Sequence, residues 1–176
     1  MPGITTHCAQ AALSSAVIYP FAGGLNAAVF GLAVVLIDLD HVIEYVRQTG
    51  SYKLWGVFPS CTIVSNNLSR GFYVLNAFHT LEFLLIVGVL GLLHPAFFYA
   101  AAGVLWHCAL DLVMLARKKV TFMRALSIVE YIIRARAPGT VTRFHDLMRK
   151  KDTVIPEGAW NYPRWIEHWR RCTPLC

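Results

Sequence analysis

Imidazoles and carboxylates enter this chain at four places: Thr6-His7, Asp38-Leu39-Asp40-His41, His79-Thr80-Leu81-Glu82 and His107-Cys108-Ala109-Leu110-Asp111. Neutral imidazole nitrogens mixed with carboxylate oxygens suit zinc, manganese or iron, whereas magnesium and calcium prefer shells of oxygen alone. His79 and Glu82 stand three residues apart and His107 and Asp111 four apart, spacings that put each pair on one helix face. Helices present such pairs inward in metal-binding bundles. Asp38 and Asp40 cannot point the same way on an ideal helix, so a frayed helix end or a bridge between two metals is expected there. The donors outnumber the four that a closed zinc site uses. The expectation is therefore two ions, or one ion with carboxylates behind the imidazoles that orient them.

Four apolar segments must position these groups. The first runs from about His7 to Tyr19 and is closed by Pro20, which interrupts a hydrogen-bonded helix. The second runs from about Leu25 to Tyr45, the third from near Tyr73 to His94-Pro95, and the fourth from Ala96 to about Leu115. Tight turns at Pro20 to Gly24 and at His94-Pro95 predict an all-α, membrane-embedded four-helix up-down bundle over residues 1–118. In that topology all four chemical stretches fall at the same end. Counting about 1.5 Å per residue from the far turns puts His7, Asp40, His79 and His107 at depths of about 19, 24, 22 and 18 Å, a single layer. His94 lies at the opposite hairpin and is excluded. Glu44 either supports His41 or is solvated.

Residues 119–176 form a second region. Thr121 to Arg136 has apolar residues at helical spacing with intermittent arginines. It reads as an amphipathic helix lying in a membrane interface or as a polar-faced core helix. The tail beyond Pro138 is basic and carries Trp160, Tyr162, Trp165 and Trp169, ring types that settle among lipid headgroups. His145 and His168 belong to that tail and read as surface groups.

Composition agrees with a membrane setting. The chain is 56% apolar and 15% charged with a mean hydropathy of +0.50, against about a quarter charged in a soluble domain. The net charge of +6 raises the possibility of nucleic acid, but the basic residues sit in loops and a tail beside apolar spans. Membrane lipids explain them more simply, and nucleic acid is disfavoured. Arg47, Lys53 and Arg70 lie between segments two and three, and every other Lys or Arg lies at or beyond Arg117. The positive-inside rule then puts both termini in the cytoplasm, as a multi-pass protein of a cell inner membrane. The N-terminus has no positive charge ahead of its apolar region, so the first segment is expected to stay as a membrane helix. The five cysteines form no CxxC pair, which suits a reducing compartment. A phosphate-binding glycine loop, a GxSxG elbow and a dinucleotide fingerprint are all absent.

Taken in order, Thr-His, Asp-x-Asp-His, His-Thr-x-Glu and His-x-x-x-Asp resemble the motifs of the membrane-bound predicted metal-dependent hydrolases, the YdjM-like group. The resemblance covers about residues 5 to 115. Two positions depart from the group's pattern: Leu75 stands where a further histidine is common, and Ile37 where a proline often precedes Asp-x-Asp-His. The resemblance implies one or two divalent metal ions, zinc first and manganese or iron next. His7, Asp40, His41, His79, His107 and Asp111 are the expected ligands, and Asp38 or Glu82 bridges or acts as general base. It also implies hydrolysis of an ester or phosphoester, on a small-molecule or lipid substrate such as a headgroup. Two other readings stand beside it. One is a non-enzymatic metal-binding membrane subunit or scaffold, joined to a protein partner through the basic tail. The other is a sensor using Cys172 and Cys176.

Overall fold

The computed structural model describes residues 4–49, 52–67, 75–121 and 124–137. Its main elements are helices α1 (Ile4–Leu36), α2 (Leu39–Thr49), α3 (Val57–Asn67), α4 (Leu81–Leu90), α5 (Ala96–Arg117) and α6 (Ile128–Ala135). The aromatic-rich tail, with His145, His168, Cys172 and Cys176, lies outside the described residues, and so does Arg70.

α1 is two arms. Gly23 sits at φ 76°, ψ 168°, a backbone region open essentially to glycine alone, and the helix reverses there. The arms then lie side by side: Gly31 abuts Ser15, Gly24 abuts Tyr19, and His7 reaches Asp38. The turn expected at Pro20 to Gly24 narrows to Gly23, because Pro20, expected to close the first helix, lies inside it. Ala11, Phe30 and Val34 form the core between the arms, with Ile18, Val35 and Tyr99 packed on it.

α5 packs on α1 along a line fixed by Gly103. A Cβ at that position would stand 2.5 Å from the carbonyl oxygen of Phe30 and 3.0 Å from the Cβ of Ala33. One turn further on, His107 is thereby brought against the Val34 backbone. α4 pairs with α5 across the short His94-Pro95 connection, where His94 is exposed and accepts a hydrogen bond from Ala96 N–H at 3.2 Å.

The third apolar segment is less helical than its pattern suggests. A 3-10 turn at Ala77–His79 is followed by Thr80, whose hydroxyl caps α4 by accepting from Phe83 N–H. α4 itself has 10 residues and is about 15 Å long, roughly half the thickness of a bilayer's hydrocarbon. Among the described residues, two helices are long and apolar enough to cross a membrane, Thr6–Arg47 (which includes the reversal) and Ala96–Arg117. Leu13, Val17, Phe21 and Leu25 on α1, Leu85, Ile86 and Val89 on α4, and Leu105 and Val113 on α5 are exposed. His7, Asp40, His79, His107, Asp111 and Arg124 are buried. A soluble domain does not commonly expose contiguous apolar surface on this scale.

The segment from Thr121 to Arg136 is not one helix. α6 begins at Ile128, after a cap in which the Ser127 hydroxyl accepts from Val129 and Glu130 N–H. Glu130 accepts from the N–H of Leu126, the residue before the cap, at 3.0 Å. α6 buries no residue of its own and exposes Val129, Ile132 and Ile133. Ser127→Ala removes the cap and is expected to destabilise this end of the protein by about 1 kcal/mol. Thermal unfolding in detergent, with protease sensitivity at α6 as the local readout, checks this.

Candidate metal centre

The centre forms where α1 ends. At Ile37 and Asp38 the backbone tightens into i→i+3 hydrogen bonds: Asp38 N–H to Val35 O at 3.3 Å, Asp40 N–H to Ile37 O at 3.4 Å, and His41 N–H to Asp38 O at 3.0 Å. On an uninterrupted helix Asp38 and Asp40 would diverge by about 200°. The break lets both serve one cluster. It also puts Asp40 in the first turn of α2, where the helix dipole favours a carboxylate, and not at a C-terminus, where it is opposed.

Asp40 fixes the neighbouring segment. Its Oδ2 accepts from Phe78 N–H at 3.1 Å and from His79 Nδ1 at 2.8 Å. His107 Nδ1 donates to Val34 O at 2.8 Å. Each ring thus spends its Nδ1 hydrogen on a fixed acceptor, which leaves Nε2 as the lone-pair nitrogen. Those two Nε2 atoms face each other at 3.2 Å, and Asp38 Oδ1 is 3.5 Å from both. Asp111 Oδ2 lies 3.6 Å from His107 Nε2 and 3.9 Å from His79 Nε2. His41 Nε2 is 3.3 Å from Asp38 Oδ1. His7 Nε2 is 3.7 Å from Asp38 Oδ2, and its ring stacks on that of His107 with centroids 4.6 Å apart.

Among the described residues, three sets able to hold a metal ion result, each with its ligand atoms within 4.8 Å of one another: His7–Asp38–His107, Asp38–His41–His79 and His79–His107–Asp111. They interlock, because Asp38, His79 and His107 each belong to two sets. Buried lone pairs that converge in this way repel unless a cation lies among them. Metal–nitrogen and metal–oxygen bonds in tetrahedral sites put neighbouring ligand atoms about 3.3–3.6 Å apart. The separations here run from 3.2 to 3.9 Å, so the residues present are able to hold a metal ion. The described cysteines stay outside the cluster. Burial pushes the Cys61 thiol up to about 12, so it is protonated and a poor ligand.

The expected residues converge, with their roles redistributed. Asp38 stands among the converging atoms, while Asp40 lies behind His79, on the far side of the ring. Asp40 belongs to none of the three ligand sets and holds the His79 ring from its Nδ1 side. Glu82 is not part of the cluster. His79 precedes the α4 cap, so the two do not share a helix face, and the Glu82 carboxylate turns to the start of α6. There it accepts from the Ser127 hydroxyl and from Ile128 N–H at 3.1 Å. Glu44 is held by Arg47 at 2.7 Å through two hydrogen bonds. Asn76, which the sequence did not single out, is buried with its amide 3.1 Å from His41 Nδ1. Asp40→Asn keeps the side chain's shape and weakens its hold on the His79 ring. Metal affinity is expected to fall about 10–100-fold, the range typical of such outer partners, as measured by chelator competition.

One further residue escaped the sequence reading. Arg124 is buried at 5% exposure, and its Nη1 donates to Asp111 Oδ2 at 2.6 Å. An ionised carboxylate has about four acceptor sites on its two oxygens, so Asp111 accepts this bond and keeps lone pairs for an ion. The segment that carries Arg124 is strapped to α4, through Leu81 N–H to Leu126 O at 2.9 Å and through Glu82. Comparisons of the chain with protein-family models, with curated proteins and with solved structures found no match.

Proposed function

We propose that this chain is a membrane-bound, metal-dependent hydrolase. Its four apolar arms form an up-down bundle of a multi-pass inner-membrane protein with both termini cytoplasmic, and α6 lies in the interface. The likeness of its four motifs to the YdjM-like group points the same way. The observation that carries the reading is the pair of Nε2 lone pairs at 3.2 Å, each ring locked by its own Nδ1 hydrogen bond. Within a largely apolar chain, ionisable groups gathered at the ends of candidate spans are a functional site by default. The donor mix favours zinc, with manganese or iron next.

A bound divalent metal lowers the pKa of a coordinated water and stabilises negative charge that develops on an ester or phosphoester. The protein supplies the rest. His79 and His107 hold their Nε2 atoms in place through Asp40 and Val34. Asp38, a quarter exposed where Asp111 is almost wholly buried, is the more accessible carboxylate, and to it we assign the role of general base toward water. A headgroup-bearing lipid is the natural substrate, because the cluster lies at the ends of the apolar arms.

The test is metal content followed by turnover. Full-length protein purified in detergent should carry one or two equivalents of zinc, manganese or iron by mass spectrometry. It should also release product from an ester and phosphoester panel. Protein that neither carries nor takes up a transition metal overturns the reading. Metal without hydrolysis favours the scaffold alternative.

A further inference from the structure

Arg124 is buried, yet only part of its guanidinium is used. Nη1 is bonded to Asp111 Oδ2, while Nε and Nη2 have no hydrogen-bond partner among the described residues. Those two nitrogens share one edge of the planar group, the edge whose parallel N–H bonds match two oxygens of a single anion. Buried donors left unpaired are costly, and an arginine held only to neutralise Asp111 would more commonly turn this edge toward it. The guanidinium and the two Nε2 atoms are arranged around the same atom, Asp111 Oδ2.

Resting on the metal-hydrolase reading, we infer that Arg124 is the anion-recognition residue of this centre and that the group it receives is the phosphoryl group of a phosphoester. A carboxylic ester presents one neutral carbonyl oxygen at its reacting centre and leaves half of the fork empty. A phosphoester presents two non-bridging oxygens that carry negative charge, one for Nε–H and one for Nη2–H. Arg124 therefore selects between the two substrate classes that the metal site alone leaves open. The strap through Glu82 and Leu126 sets its position, and the ion pair with Asp111 sets its angle.

The experiment is calorimetric titration of full-length protein in detergent, metal-loaded and metal-stripped, with inorganic phosphate, with glycerol phosphate and with vesicles containing phosphatidic acid. Acetate and neutral-lipid vesicles are the controls. Wild type should bind phosphate in both metal states and at least 10-fold more tightly than acetate. Arg124→Gln should lose phosphate binding at least 10-fold, and Arg124→Lys, which keeps charge but not the fork, should fall in between. Tighter binding of the vesicles than of glycerol phosphate identifies a lipid phosphoester, and the reverse a soluble one. Wild type that carries metal but binds phosphate no better than acetate overturns the inference and leaves the metal site standing. Phosphate binding without any metal uptake does the opposite. The wild-type comparison decides even if both variants fail to fold.

Discussion

His107→Ala is expected to abolish tight metal binding while the helices remain. His107 belongs to two of the three ligand sets, stacks on His7 and is tied to the α1 backbone. Its removal leaves only Asp38–His41–His79 intact. The loss should exceed about 100-fold, beyond the ~10–100-fold that outer partners carry. Chelator competition and metal stoichiometry on the variant in detergent are the readouts, with circular dichroism to show that helix content persists. Retention of full stoichiometry with wild-type affinity would place the ion elsewhere.

Gly103→Val is expected to be the most damaging single change outside the ligand set. The first added atom alone stands 2.5 Å from the Phe30 carbonyl oxygen. The obstacle is backbone, which cannot rotate away as a side chain does. Helix α5 must move off α1, so the cost should reach at least about 3 kcal/mol, the upper part of the overpacking range. Gly103→Ala should show a smaller effect of the same sign. Because His107 sits one turn from Gly103 and depends on the same approach for its bond to Val34 O, metal affinity should fall together with melting temperature. A variant that is destabilised but binds metal normally would separate packing from ligand placement and refute this coupling.

His107 and Asp111 were legible in the sequence because an i,i+4 pair on a long apolar helix has one geometry, and the structure keeps it at 3.6 Å. The reversal near Pro20 was legible because Pro and paired glycines punctuate a run of good helix formers. The exchange of roles between Asp38 and Asp40 was not. A frayed helix end was expected at Asp38-Asp40, but nothing in VVLIDLDH marks that a new helix starts at Leu39 and turns Asp40 toward His79. Glu82 misled for a related reason: spacing from His79 implies a shared face only if both lie on one helix, and Thr80 caps α4 between them. Arg124 had a usable signal. Ser127-Ile128-Val129-Glu130 is a capping-box spacing that starts the helix at Ile128. It leaves Arg124 in an extended approach, free to turn inward, whereas the arginines at 134 and 136 stay outside.

The reversal at Gly23 bears on how the chain enters a bilayer. From Cys8 to Ile37 there is no Asp, Glu, Lys, Arg or His, so the tip of the hairpin carries no group that resists leaving water. A charge at mid-membrane would cost about 2.5–3.5 kcal/mol on insertion scales. The two arms can therefore partition together as a preformed pair. Their ionisable ends, His7 and Asp38, lie together at the other end of the pair, 3.7 Å apart, so a bilayer that took up the apolar arms would leave both groups on the side of entry.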